Sequence, residues 1–388
     1  MRIQVSLSER VIVHINRRPE RYLGPGVHTV WAPFSEVEVQ RLSTDALTAD
    51  LRPEQLALVP KDELRTLTIG ETERAVVKRK GRPLRWLGTG EHQVWTVDPS
   101  TKIEVIALGP DGNERLRRRV ATPQGDYAGT LNAVTGLVVA VESELGERGT
   151  VGVGIPGAES PASGLIKNAN STCLIGQPLR TDLEALLQRG VRLANDANCF
   201  ALSEASDGAG RQAEVVFGVI LGTGVGGGIV VRGHVLSGAN AIAGEWGHNP
   251  LPLPGPGDLP LPRCYCGRSG CIETYLSGPA LMRDHALHAA DNLSPAEIDA
   301  RAAGGDPACE ATLQRYETRL GRALAGIVNV LDPQVIVLGG GLSNLGRLYR
   351  NLPACCGPHV FSDVFRTQIV PPAHGDSSGV RGAAWLWD

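Results

Sequence analysis

Three cysteines and one histidine form the densest group of chemically reactive side chains in the sequence. Cys264, Cys266 and Cys271 follow the spacing C-x-C-x4-C, and His248 lies 16 positions before the first of them. Three thiolates and one imidazole are a common ligand set for tetrahedral structural zinc. A local disulfide with one spare thiol is the alternative, but the N-terminus lacks the apolar segment of a secretory signal, and a reducing compartment favours metal. We therefore expect a zinc site.

Two carboxylates, Glu245 and Glu273, lie beside these predicted ligands. Gly267 and Gly270 allow the backbone to turn tightly around a small ion. A loop held by zinc keeps the neighbouring carboxylates in place, and fixed carboxylates are good acceptors for the hydroxyl groups of a polyol. The stretch 245–273 therefore predicts one wall of a polyol-binding site.

The bulk composition narrows the function classes. The chain has 388 residues, and its formal charge of −3 favours neither nucleic acid nor an anionic membrane as a partner. No apolar run reaches the roughly 20 residues needed to span a bilayer. We expect a cytoplasmic protein without a membrane span and without a nucleic-acid partner.

An internal repeat occupies the N-terminal part of the chain. Residues 9–31 and 73–95 align without gaps at an offset of 64, with 12 identities in 23 positions. Such self-similarity indicates a duplicated unit. Val, Ile and Trp are interrupted by Leu-Gly-x-Gly turns, which is typical of β-structure. The predicted strands are 10–15 and 27–31 in the first copy and 74–78 and 91–97 in the second.

The repeat resembles the N-terminal repeats of slipin/stomatin-type (SPFH) proteins, on the pattern ERAVVKRKGRPLRWLGTGEH at 73–92. This resemblance implies an assembly or docking module over residues 1–100, and a passive β appendage is the other open interpretation. Residues 1–100 carry a formal charge of +2 and show no helix-turn-helix pattern. Both observations argue against a DNA-binding arm.

From Lys102 onward strands and helices alternate, which is typical of an α/β fold with sites at the carboxyl ends of its strands. Asp196 follows the predicted strand 191–194, between Asn195 and Asn198. A carboxylate there can accept a proton from a substrate hydroxyl, although an Asn-Asp pair is also typical of a turn or helix cap. The other expected elements are a hairpin of 102–108 and 114–122, a helix over 127–144, a strand over 151–157, and a helix over 181–188 with Thr181 as its cap and Gly190 just past its end.

A glycine-rich stretch, 222–228, lies between the apolar runs 215–221 and 229–231. Glycines let backbone N–H groups approach phosphate oxygens, and Thr223 adds a hydroxyl. The stretch matches neither a Walker loop nor a Rossmann fingerprint, because lysine is missing and a strand follows. A bare tight hairpin is the alternative.

A second glycine turn comprises Gly339, Gly340 and Gly341. It follows the predicted strand 334–338 and precedes a helix expected to start at Leu342, an arrangement suited to nucleotide. Before it, apolar residues at helical spacing predict a helix over 309–331 that Asp332-Pro333 ends. The residues with this spacing are Leu313, Tyr316, Leu320, Leu324, Ile327 and Val330.

Together these stretches resemble the ROK family of sugar kinases, and within it the bacterial fructokinases. The resemblance implies an α/β, actin/hexokinase-like ATPase fold of two lobes with a zinc-bound loop, behind the β-rich N-terminal repeat module. It covers the chain from about Thr101 to the C-terminus and implies a small lobe at 101–214, with a helix at 378–388 packing back, and a large lobe at 215–377. The matching motifs are GTVGVGIPG (149–157), KNANST (167–172), RLANDANC (192–199), GTGVGGG (222–228), AGEWGHNPLP (243–252), CYCGRSGCIET (264–274), IVLGGGLSN (336–344) and HGDSSGVRGAAWLW (374–387).

The resemblance implies ATP-dependent phosphorylation of a hexose, with fructose favoured, at its primary 6-hydroxyl. Asp196 would be the general base, and magnesium and a homodimer are also implied. The implied sugar contacts are Asn170, Asn195, Asp196, Glu245, His248 and Glu273. The implied ATP contacts are Thr101, Lys102, Gly222, Thr223, Gly224, Gly339, Gly340 and Gly341, and the implied zinc ligands are His248, Cys264, Cys266 and Cys271.

One motif departs from the family pattern. The family's D-x-G-G-T-K turn aligns with residues 97–102, where Val97 replaces Asp and Pro99 and Ser100 replace both glycines. Asp98 is one residue out of register, and Pro99 lacks an N–H that could bond phosphate. We therefore expect weak or absent kinase activity. A sugar-binding or scaffold protein assembled through its N-terminal repeats is the alternative, and a ROK-type repressor is disfavoured because no DNA-binding helices are predicted.

Overall fold

A computed structural model describes two compact units. The first comprises Met1–Val105, Arg118–Ala140 and Asn170–Cys173, and the second comprises Ile106–Arg117, Val141–Ala169 and Leu174–Asp388. The division predicted at residues 100 and 214 stays a prediction. The described residues are 1–5, 9–24, 26–32, 35–43, 48–60, 63–69, 75–79, 82–95, 102–123, 125–169, 171–289, 291–375 and 378–387.

The N-terminal part of the first unit is built from short antiparallel strands around small apolar clusters. Val11, Ile12 and Val13 are fully buried at the centre of these clusters. The elements are β1 (Arg2–Val5), β2 (Glu9–Ile15), β3 (Arg18–Leu23), β4 (Gly26–Thr29), β5 (Val37–Ser43), β6 (Thr48–Ala49), α1 (Pro53–Leu56), β7 (Leu64–Ile69), β8 (Ala75–Arg79), β9 (Arg82–Leu87) and β10 (Gly90–Trp95).

Strand pairing repeats at the same offset of 64 residues as the sequence. In β2–β3, Val13 pairs with Arg21 and a register shift follows it; in β8–β9, Val77 pairs with Arg85 and the same shift follows. The pairing of β1 with β4 likewise recurs as that of β7 with β10. The repeated geometry therefore includes β1 and β7, which lie outside the aligned ranges because backbone pairing does not require identical side chains.

The rest of the chain alternates strands and helices. Its elements are β11 (Lys102–Leu108), β12 (Glu114–Ala121), α2 (Tyr127–Leu145), β13 (Val151–Ile155), β14 (Ala158–Glu159), β15 (Ile166–Lys167), α3 (Leu179–Leu187), β16 (Val191–Asn195), α4 (Asp196–Ser206), β17 (Val215–Leu221), β18 (Val225–Val231), β19 (His234–Val235), α5 (Glu273–Leu276), α6 (Gly278–Ala289), α7 (Pro295–Ala303), α8 (Pro307–Leu331), β20 (Val335–Gly339), α9 (Arg347–Cys356), β21 (Gln368–Val370) and α10 (Ser378–Ala384). None of the helices among the described residues is both long and apolar enough to cross a membrane.

The second unit is centred on a five-stranded sheet in the order β19-β18-β17-β20-β21. β17 pairs antiparallel with β18 and parallel with β20, so the carboxyl ends of β17 and β20 lie at the same edge. The predicted helical stripe of α8 packs into the core through Leu313, Tyr316, Leu320 and Leu324, which are at most 1% exposed. Val330 was wrongly placed in that stripe: it is 89% exposed, and Val328 takes the core position.

Other predicted boundaries also differ from the structure. α3 starts at Leu179 rather than after Thr181, since Pro178 takes the N-cap position and needs no partner for an N–H. Its C-cap is Gln188, at φ 51°, so the left-handed position precedes Gly190. The helix expected at Leu342 is a 3₁₀ turn, Gly341–Asn344, and α9 begins only at Arg347.

Candidate active site

Strand β18 positions several of the predicted site residues. The predicted glycine turn 222–228 is shorter than expected, because β18 already starts at Val225. A Cβ on Gly228 would lie 2.4 Å from the Ala197 carbonyl oxygen at the start of α4. A Cβ on Gly227 would lie 2.8 Å from the Trp246 ring. These glycines therefore let α4 and the segment around Trp246 pack closely on the strand.

Asp196 is the first residue of α4, directly after β16. Asn195 is the N-cap, and its side-chain oxygen accepts a hydrogen bond from Ala197 N at 2.9 Å. The Asn195 amide group donates to Gly157 O at 3.3 Å, which links β16 to the turn after its parallel neighbour β13. Asp196 is exposed to solvent, and the positive end of the helix dipole favours its negative charge. Asp196 Oδ1 also accepts from Ala197 N, at 2.8 Å, so Asn195 is the N-cap and the exposed Asp196 carboxylate shares its N–H donor.

Glu273 and Glu245 occupy different environments. Glu273 is 7% exposed, and its Oε2 accepts a hydrogen bond from Val225 N at 3.0 Å, so it braces the start of β18. Partial desolvation raises the pKa of Glu245; His248 opposes this shift and the charge of Glu273 adds to it. Trp246, between Glu245 and His248 in the chain, is buried and donates from Nε1 to Gly226 O at 2.9 Å. The two carboxylates and His248 therefore lie in one neighbourhood beside β18.

The four predicted zinc ligands come together. One ligand atom from each of His248, Cys264, Cys266 and Cys271 lies within 4.8 Å of the others. The Cys264 Sγ–His248 Nδ1 and Cys266 Sγ–Cys271 Sγ distances are both 3.6 Å. A tetrahedral shell with zinc–sulfur bonds of about 2.3 Å places sulfur atoms about 3.8 Å apart. The donor set and its spacing fit a structural zinc ion, which would hold the loop 264–271 together.

Backbone geometry shapes this loop before any metal binds. Gly267 and Gly270 have φ of 91° and 77°, a region that favours glycine, as their place between the cysteines predicts. Cys264 N donates to Arg268 O at 2.8 Å. Hydrogen bonds from Arg268 lower the pKa of Cys266 to about 6, whereas burial raises the pKa of Cys271 to about 12. Metal binding requires the thiolate form of each cysteine.

Two glycine turns meet at the carboxyl edge of the central sheet. Ile220 of β17 pairs with Gly339 of β20, and Gly340 has φ of 80°. A Cβ on Gly340 would lie 2.6 Å from Leu221 O, so only glycine allows this approach. Gly222 O accepts a hydrogen bond from Gly278 N, the first residue of α6, at 2.8 Å. The predicted ATP contacts Gly222, Thr223, Gly224, Gly339, Gly340 and Gly341 thus form one backbone-lined edge.

Some predicted site residues cannot be placed. Asn170 lies outside the described residues. So do Thr101 and residues 97–100, which belong to the altered turn. Lys102 starts β11, but its side chain is outside the description. Their roles stay predictions.

An ion-pair network that sequence reasoning missed anchors the loop between His248 and Cys264. Asp258 is 7% exposed and accepts hydrogen bonds from Arg319 Nε at 2.7 Å and Arg322 Nη2 at 2.8 Å, both on α8. Arg319 also donates to Asp284 of α6 at 2.7 Å. The only signal in the sequence was the pair of arginines, Arg319 and Arg322, three positions apart on the predicted helix. Their partner Asp258 lies more than sixty positions before them in the sequence, so spacing alone could not identify it.

We expect Asp258→Asn to lower the free energy of unfolding by about 3 kcal/mol at pH 7, the usual effect of breaking a buried ion pair. Burial alone would raise the pKa of Asp258, but hydrogen bonds from Arg322 and Arg319 outweigh it and hold the pKa below its usual value. The stabilisation is therefore present above the unfolded pKa of about 4 and is lost as pH falls through the lower folded pKa. Urea unfolding followed by tryptophan fluorescence should show the gap to wild type shrink below about pH 4.

Asp363→Asn, in an exposed loop, is the matched control and should leave unfolding unchanged. A gap for Asp258→Asn that is absent at pH 7, or that stays constant as the pH falls, would contradict this account of the network.

Comparison with known proteins decides the family. A family model described as the ROK family matches residues 99–388. The chain belongs to the ROK family. The N-acetyl-D-glucosamine kinase of Photobacterium profundum is 43% identical over 294 residues, which cover 74% of this chain and 96% of that relative.

Solved ROK structures share this fold. The ROK hexokinase of Thermus thermophilus matches with a TM-score of 0.65 and 30% identity, covering 74% of this chain and 97% of that one. A ROK glucokinase of Streptomyces griseus, solved with glucose and AMPPNP, matches with a TM-score of 0.59 and 27% identity, covering 74% and 96%. These matches confirm the predicted family and the actin/hexokinase-like α/β fold.

These matches do not support two finer predictions, fructose as the sugar and an SPFH-like N-terminal module. The curated relative is named an N-acetyl-D-glucosamine kinase rather than a fructokinase, which changes the expected sugar. The ROK match starts at residue 99, so it does not test the SPFH resemblance predicted for residues 1–100, which stays a prediction despite the repeated strand pairing.

Proposed function

We propose that this ROK protein transfers the γ-phosphoryl group of ATP to the 6-hydroxyl of N-acetyl-D-glucosamine. The observation that supports it most is the placement of Asp196 at the exposed start of α4, packed on the same strand, β18, as the segment Glu245–His248. A proton acceptor and a set of hydroxyl acceptors thereby share one rigid support. The choice of sugar rests on the name of the 43% identical relative.

The chemistry assigns one task to each group. Asp196 accepts the proton of the 6-hydroxyl as its oxygen attacks the γ-phosphorus, and the bond to the β-phosphate oxygen breaks to release ADP. Glu245 accepts a hydrogen bond from a sugar hydroxyl, and His248 donates one from Nε2, the nitrogen that faces away from Cys264. The turn 222–224 would bind phosphate through the backbone N–H groups of Thr223 and Gly224, because Gly222 N already donates to Gly224 O at 2.9 Å. The turn 339–341 would contact the adenosine end of ATP. Magnesium, when bound, neutralises phosphate charge, and it remains a prediction here.

A coupled assay of ADP formation tests the sugar. With magnesium and ATP, we expect kcat/KM for N-acetyl-D-glucosamine to exceed that for fructose, glucose and mannose by at least about tenfold, since a site built for a polar group rejects analogues that lack it. A higher kcat/KM for fructose would return the assignment to the fructokinase type. NMR of the product identifies whether the phosphate is attached at the 6-position.

A sugar-binding or scaffold protein is the second candidate, because residues 97–100 lack the aspartate and glycines of the family's phosphate turn. It predicts binding of N-acetyl-D-glucosamine in calorimetry without turnover. The N-terminal repeats would then assemble the chain, for example as a homodimer. Light scattering would test this by comparing the molar mass of the full chain with that of residues 101–388.

A further inference from the structure

Tyr265 lies between two of the predicted zinc ligands, Cys264 and Cys266, and 64% of its surface is exposed. Its hydroxyl oxygen is 3.0 Å from His248 Nε2. Its ring meets the imidazole edge-on, with centroids 5.1 Å apart and an interplanar angle of 81°. The other imidazole nitrogen, Nδ1, lies 3.6 Å from Cys264 Sγ. The two nitrogens of His248 therefore face different partners.

An imidazole has only two polar atoms, and this arrangement assigns both. When Nδ1 faces a metal it must be unprotonated, so the proton lies on Nε2 and Nε2 donates to the Tyr265 oxygen. A second partner of this kind fixes the ring of a metal-bound histidine and strengthens metal binding. Nε2–H is then the one donor of His248 left for a substrate, and Tyr265 already occupies it.

We propose that Tyr265 is a displaceable cap on His248. In the sugar-free protein its hydroxyl accepts from Nε2–H and orients the imidazole toward the metal. When sugar binds, a sugar hydroxyl replaces the Tyr265 hydroxyl as the acceptor of Nε2–H. The displacement part rests on the proposed sugar-binding function, and the orientation part does not. Because Tyr265 is mostly exposed, its side chain can rotate away without opening the core. The exchange trades one neutral hydrogen bond for another, so the cap weakens sugar binding without preventing it.

Tyr265→Phe separates this role from simple packing, because the two halves of the proposal predict changes of opposite sign. Loss of the second partner should weaken zinc binding by about tenfold. Loss of the competing oxygen should tighten binding of N-acetyl-D-glucosamine by about two- to tenfold, the range that one neutral hydrogen bond supports. A residue that only stabilised the loop would weaken both.

The full-length chain is the sample for both measurements. Zinc affinity is measured by competition with a chromophoric chelator, and sugar affinity by calorimetry on the zinc-loaded protein. Tyr22→Phe is the matched control, since it also removes a tyrosine hydroxyl, one that donates to Glu63 in the first unit. It should change neither affinity.

Unchanged zinc affinity in Tyr265→Phe would overturn the orientation part, and so would a wild-type chain that binds no zinc. Sugar binding that is weaker or unchanged would overturn the displacement part. If neither protein binds N-acetyl-D-glucosamine while zinc affinity still falls, the proposed sugar and the displacement are both wrong, and the orientation of His248 by Tyr265 stands.

Discussion

Asp196→Asn should lower kcat for sugar phosphorylation by about 10²–10⁴-fold, the usual contribution of a positioned general base. Asn has nearly the same shape but cannot accept the proton of the attacking hydroxyl. Asp196 Oδ1 accepts a hydrogen bond from Ala197 N at 2.8 Å, and the amide oxygen of Asn can accept the same bond. Because Asn195 also remains as the N-cap, the substitution leaves the helix start intact. We therefore expect KM and the unfolding free energy to change little.

Steady-state kinetics with N-acetyl-D-glucosamine measure the loss, and calorimetry checks that sugar binding persists. Asp363→Asn is the matched control for an exposed aspartate away from β18. Retention of more than about a tenth of the wild-type kcat by Asp196→Asn would show that another group removes the proton. Loss of sugar binding with it would instead give Asp196 a role in binding.

Restoring the family's phosphate turn should raise kcat. In the triple variant Val97→Asp, Pro99→Gly and Ser100→Gly, the turn regains a carboxylate for the magnesium site and backbone N–H groups for phosphate. Each charge-stabilising group that acts in the transition state contributes on the order of 10²–10³ in rate. We expect an increase in kcat of at least about 10²-fold with little change in the KM for sugar.

The matched control contains the same Pro99→Gly and Ser100→Gly substitutions but has Val97→Asn instead of Val97→Asp. It therefore has the backbone N–H donors without the carboxylate for magnesium. It should recover only part of the rate. A wild-type chain as fast as the triple variant would contradict the impairment predicted from residues 97–102, and the general-base test on Asp196 would then be done in the wild-type background. If wild type is slow, the triple variant is the background for that test.

Features encoded within short stretches could be predicted from the sequence. The four predicted zinc ligands come together as the sequence indicates. Three of them lie within the eight residues 264–271, and His248 lies only 16 positions before Cys264, so short stretches of chain supply all four. The strand before Asp196 and the two predicted strands of each repeat copy are equally local. The strands β3 and β9, which lie between them and pair with β2 and β8, were not predicted. Family motifs add the fold, since the combination of short patterns is specific to ROK proteins.

Boundaries were predicted less well wherever tertiary contacts override local preference. Gly226, Gly227 and Gly228 look like a turn in the sequence, yet they lie in β18 because their missing side chains admit α4 and Trp246. Val330 fits a helical stripe by spacing, but the core lies on the side of Val328. In both cases the packing partner, which is distant in sequence, decides.

The sequence by itself determined the family, the donor set that is predicted to bind zinc and the position of the candidate base, since each depends on residue types at fixed short spacings. Only the tertiary structure decided what those residues contact: Glu273 braces Val225, Asp258 pairs with α8, and Tyr265 faces His248. These contacts depend on the relative placement of loops and elements around β18. Side-chain spacing along the chain contains no record of such placement.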